Sequence, residues 1–121
     1  MFQKLECVCI HTNDISASLH FYSSVGLTEA WRINRVSQSG TPCSLIGMKF
    51  PSAGSSELVL SDSPDVKLTE VEIYVGDVLA AYESLKSQPS IEWIRTPFAT
   101  ESGHIAVMVA PDKNVFVLVG K

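Results

Sequence analysis

Along residues 4–11, Lys-Leu-Glu-Cys-Val-Cys-Ile-His, side chains alternate: Val8 and Ile10 share one face, and Cys7, Cys9 and His11 the other. A period of two marks a strand. Asp14 then offers a helix N-cap. Ile15, Ser18, Leu19 and Tyr22 follow at helical spacing, and Phe21 and Val25 widen the apolar stripe. Gly26 stands where a left-handed residue closes a helix, with Leu27 as its apolar partner, so the pattern predicts a helix over 15–25. Strand-like runs come next at 28–36, 43–50 and 57–61, divided by the turn and loop sequences 39–42 and 51–56.

After a connector at 63–67 the pattern begins again. Val71, Ile73 and Val75 alternate with Glu70, Glu72 and Tyr74, and Asp77 is a second N-cap. Val78, Ala81, Tyr82 and Leu85 repeat the helical spacing, and Pro89 bounds that helix. Strands are expected at 90–95, 104–110 and 114–119, the last two joined by Pro111-Asp112-Lys113-Asn114. The two Asp caps stand 63 positions apart (77 − 14), close to half the chain and too far for a solenoid repeat. The chain thus reads as one α+β domain, 1–121, of two tandem βαβββ modules, 1–62 and 68–121. A lone four-stranded, antiparallel-type sheet with one helix leaves a face uncovered. The two sheets are therefore expected to pair into a cupped, partly closed barrel with helices outside, whose concave side is the natural ligand site.

Composition narrows the function. The chain has 121 residues, 45% hydrophobic, which suits a single domain with a core that needs no disulfide or structural metal. A net charge of −4 with nine Lys and Arg gives neither a nucleic-acid surface nor a polybasic membrane patch. No apolar run is long enough to span a bilayer, and Met1-Phe2-Gln3-Lys4-Leu5-Glu6 lacks the cationic start of a signal peptide. Three cysteines, an odd number, make a reducing cytoplasm the expected location. The chain carries no glycine-rich nucleotide loop, no G-x-S-x-G elbow, no C-x-x-C and no H-E-x-x-H.

Thr12-Asn13-Asp14-Ile15-Ser16-Ala17-Ser18-Leu19-His20-Phe21-Tyr22 resembles the V-x-D-x-x-x-S-x-x-F-Y opening of the glyoxalase/bleomycin-resistance/extradiol-dioxygenase superfamily, the vicinal oxygen chelate proteins. Val25-Gly26-Leu27 resembles the close of that family's first helix, Val75-Gly76-Asp77-Val78 the start of its second, and Ala110-Pro111-Asp112-Lys113-Asn114-Val115-Phe116 a degraded form of its last turn. The resemblance covers nearly the whole chain and implies the same fold, with a homodimer as the common assembly. It also implies a divalent metal acting as a Lewis acid in family enzymes. The family's ligand positions fall here on Cys7, Val59, Glu70 and Val117. Two valines cannot ligate, and Cys7 with Glu70 is a poor mixed pair, so no metal and no cofactor is expected.

The expected site is then a metal-independent small-molecule site of the bleomycin-resistance-like kind. Trp31 and Trp93, near matching places in the two halves, are candidate aromatic walls for an aromatic or cationic ligand; ordinary core or interface packing is the alternative. Cys7, Cys9 and His11 face one side of their strand, yet same-face neighbours about 6.6 Å apart are too far for one zinc or a disulfide. The cysteines read as small buried hydrophobes, with a thiol opening into the cup, as a ligand contact, reactive group or soft-metal site, as the alternative. Glu70, Glu72 and Tyr74 share a face, as ligand contacts or as a solvated sheet edge. His11 and Glu70 are candidate catalytic partners as base and orienting acid. His104, at the end of Glu101-Ser102-Gly103, is a candidate contact from a rim loop. Two readings stand beside the binding protein: a glyoxalase- or dioxygenase-like lyase or isomerase with a non-standard site, and a ligand-free interaction module.

Overall fold

The structure is a computed structural model that describes residues 1–121. The first module comprises β1 (Lys4–His11), α1 (Ile15–Ser24), β2 (Thr28–Val36), β3 (Pro42–Lys49) and β4 (Glu57–Ser61). The second comprises β5 (Glu70–Gly76), α2 (Val78–Leu85), β6 (Glu92–Thr100), β7 (Gly103–Val109) and β8 (Val115–Gly120). The βαβββ order is the expected one, repeated. The chain divides into two compact units, Cys7–Thr69 and Met1–Glu6 with Glu70–Lys121. The first residues thus pack with the second module: the Gln3 N–H donates to the Tyr74 carbonyl at 2.9 Å, and Phe2 meets Phe116 edge-on.

Within the first unit the strand order is β2-β3-β4-β1, and within the second β5-β8-β7-β6. The sheets are mixed rather than wholly antiparallel, because β1 runs parallel to β4 and β5 parallel to β8. The helix between β1 and β2 forces this: it returns the chain to the far edge of the sheet, and two hairpins then bring β4 back beside β1 in the same direction.

Both helices start as their caps dictate. The Asp14 carboxylate accepts the Ala17 N–H, and the Asp77 carboxylate accepts the Ala80 N–H, each at 3.0 Å. Gly26 ends α1 at φ +113°, a conformation that favours glycine, and lets the Leu27 N–H reach the Tyr22 carbonyl at 3.0 Å. One face of each sheet buries against its own helix. In the first unit Ile46, Met48 and Leu60 are fully buried, with Ile15, Leu19 and Tyr22 packed against that cluster. In the second, Val75, Ala106, Met108 and Leu118 cluster with Val78 and Ala81 of α2. Burying one such aliphatic side chain contributes roughly 1.5–3 kcal/mol.

One strand is longer than its pattern suggests. β6 spans Glu92–Thr100, running past the expected end at 95 and through Pro97. Within this unit's sheet β6 is the outer strand beside β7, where a residue without an N–H can be accommodated. No helix is long and apolar enough to cross a membrane.

Candidate functional site

In the first unit the face turned away from α1 is built of rungs across the strands. The ladder aligns Cys9 with Val59, Val59 with Gly47, and Gly47 with Trp31. On one side of that rung Cys7 stands opposite Glu57; on the other, His11 aligns with Ser61, Leu45 and Ile33. Trp31 reaches this face through a β-bulge. Pairing passes from Glu29–Met48 to Trp31–Gly47, which leaves Ala30 as an extra residue that re-aims the side chain after it.

Gly47 provides the space. A Cβ at this position would fall inside the Trp31 indole. With only hydrogen there, the ring lies over β3, and its Nε1–H donates to Glu57 Oε1 on β4 at 2.8 Å. The carboxylate makes this bond charge-assisted. Cys7 (4% exposed), Cys9 (5%) and Val59 form one buried cluster, against which Trp31 and Leu45 pack. The result is a braced aromatic ring joined to an apolar, thiol-bearing patch.

The second unit carries a matching ladder with other side chains. Glu72 aligns with Val117, Val117 with Val107, and Val107 with Arg95. The next rung is Tyr74, Val119, Ile105 and Phe98, and the Arg95 guanidinium sits 4.1 Å from the Phe98 ring centroid. Glu70 begins β5 on the face of Glu72 and Tyr74. Burial alone pushes its carboxyl above the ordinary value of 4.5, since desolvation disfavours the charged form.

Two expected contacts fall on the helix side of this sheet. Trp93 pairs with Met108 ahead of a bulge at Ile94, so it packs on the α2 cluster and meets Tyr82 edge-to-face at 4.8 Å. The counterpart of Trp31 is therefore Arg95, and the two tryptophans do not line equivalent walls. His104 lies in β7 rather than in a rim loop, and alternation puts it on the face of Ala106 and Met108. Trp93 Nε1 and His104 Nδ1 are buried without hydrogen-bond partners. His11 belongs to the first unit and Glu70 to the second.

No protein-family model matches the chain, and no curated protein sequence does. Solved structures do match over almost its full length. A methylmalonyl-CoA epimerase superposes with a TM-score of 0.74 at 15% identity, covering 97% of this chain and 94% of that one. The methylmalonyl-CoA epimerase from Mycobacterium tuberculosis gives 0.71 at 16%, covering 96% and 86%. A hypothetical protein from Bacillus halodurans gives 0.72 at 17%, covering 98% and 94%. The chain shares the fold of these proteins. At these identities the likeness is one of fold.

The metal positions that the sequence resemblance implies do not suit this chain. Val59 and Val117 carry no donor atoms, and no three His, Cys, Asp or Glu side chains converge to hold an ion. Glu57 is the residue that the sequence reading missed. It is the carboxylate on β4 that faces Cys7, and its role emerges only from the β1–β4 register and the bond from Trp31. The one sequence signal was an acidic residue opening the otherwise apolar run Leu58-Val59-Leu60.

Proposed function

We propose that this protein is a metal-independent small-molecule-binding protein, of the bleomycin-resistance-like kind within the vicinal oxygen chelate fold. Its ligand stacks on Trp31, beside Cys7, Cys9 and His11. The observation that carries this reading is the Trp31 indole held over Gly47 by its bond to Glu57. A braced ring loses little freedom on binding, and stacking contributes about 0.5–1.5 kcal/mol beyond area burial. Glu57 beside the indole favours planar ligands with positive charge. In a Trp93→Phe background, titration with a planar aromatic cation such as N-methylquinolinium should quench Trp31 saturably at one per chain. Quenching that never saturates would sink the reading. Pairing as a homodimer belongs to the same proposal and is checked by sedimentation.

A second reading is favoured by Glu70. A half-buried carboxyl whose pKa is raised by burial is suited to take a proton from carbon. An epimerase- or isomerase-type activity with Glu70 as base is therefore the alternative. Proton–deuterium exchange into a carbon acid, abolished by Glu70→Gln, would favour it over simple binding.

A further inference from the structure

We infer that the face of the second unit's sheet turned away from α2 binds a medium-chain aliphatic monocarboxylate, anchored by Arg95 and independent of the stacking role proposed for Trp31. Arg95 and Phe98 stand three positions apart on β6, yet their partners on β7, Val107 and Ile105, stand two apart. The extra residue is a bulge, and it brings both side chains to one face. There the guanidinium lies 4.1 Å from the centroid of the Phe98 ring. The side chain is exposed and forms no ion pair within the chain. The ring contact restrains a long, flexible side chain and leaves its N–H fork to an outside acceptor.

From Arg95 the rung continues through Val107 to Val117, and from Phe98 the next rung passes through Ile105 to Val119. Val117 is buried, whereas Val107, Ile105, Val119 and Phe98 each keep part of their surface open. The result is an apolar strip with a cation at one end. Two strand spacings, roughly 9.6 Å, separate β6 from β8, which gives an extended alkyl chain of several carbons room to lie across the strip. Charge selects the head group. The chain carries a net charge of −4, and Glu92, paired with Val109, stands on this face one rung from Arg95. A second negative charge on the ligand is repelled there, which favours a carboxylate over a phosphate dianion. A planar carboxylate also matches the guanidinium fork.

The test is calorimetric titration of the full-length protein with octanoate, octanol and octyl phosphate, at a pH where the phosphate is doubly charged. Octanoate should bind at one per chain. Octanol, which lacks the charge, and octyl phosphate, which carries two, should each bind on the order of 10-fold more weakly. Arg95→Gln should weaken octanoate by the same factor and leave octanol unchanged, so that octanol reports an intact apolar strip in the variant. Arg32→Gln, which removes an exposed arginine of the first unit, should leave octanoate binding as it is. Octanol or octyl phosphate held as firmly as octanoate, octanoate indifferent to Arg95→Gln, or an equal loss in Arg32→Gln would overturn the site.

Discussion

In the first unit the rung Cys9–Val59–Gly47–Trp31 ends in an indole lying over the sheet and bonded to Glu57. In the second, the corresponding rung Glu72–Val117–Val107–Arg95 ends in a guanidinium next to Phe98. Both units place a bulge just before that last residue, at Ala30 and at Ile94. The backbone is thus repeated while the chemistry is divided: thiols and a braced aromatic on one sheet, carboxylates and a cation over valines on the other. The decisive difference is Gly47 against Val107. Without a Cβ, the third strand of the first unit becomes a bed for a ring; in the second unit a valine side chain stands at that position.

Gly47→Val breaks that difference most sharply. It should displace the indole and part it from Glu57, at a cost of about 1–3 kcal/mol by overpacking. Chemical denaturation measures the loss, and red-shifted Trp31 emission in a Trp93→Phe background reports the exposed ring. A smaller contrast separates the tryptophans. Trp31→Phe leaves Glu57 without its donor and should cost about 1 kcal/mol. Trp93→Phe deletes a buried N–H that has no acceptor and keeps an aromatic ring against Tyr82, so it should be neutral or stabilising. Equal costs at both sites would remove the distinction.

The smallest effect concerns Glu70 and depends on pH. A carboxyl whose pKa is raised in the folded state binds its proton more tightly there than in the unfolded chain. Stability therefore falls as pH rises from about 4.5 through the folded-state value, and this contribution is flat above it. Glu70→Gln removes that dependence. The variant should match the native protein at low pH and exceed it in stability once Glu70 ionises, as thermal melts across pH would show.

Much of the fold was legible from local rules. Asp14 and Asp77 cap helices where the periodicity places them, Gly26 closes α1 in the left-handed conformation, and the alternation of Cys7, Val8, Cys9 and Ile10 assigns the two faces of β1 correctly. The site was less legible because bulges change the count. Trp31 follows its bulge and Trp93 precedes its own, so residues that look equivalent along the chain point to opposite faces. Glu57 was hidden for a related reason: its partners, Cys7 and Trp31, are distant in sequence and meet it only across the ladder. His104 reads as a rim-loop contact on the family resemblance although the expected strand 104–110 begins with it, and β7 starts one residue earlier still, at Gly103.

The measurement that bears most directly on the division between the units is titration of two single-tryptophan proteins, Trp93→Phe and Trp31→Phe, with N-methylquinolinium. The expected result is saturable one-to-one quenching when only Trp31 remains, abolished by Gly47→Val, and weak linear quenching when only Trp93 remains. Equal, unsaturable quenching of both tryptophans, or saturation that survives Gly47→Val, would contradict the role assigned to the braced indole.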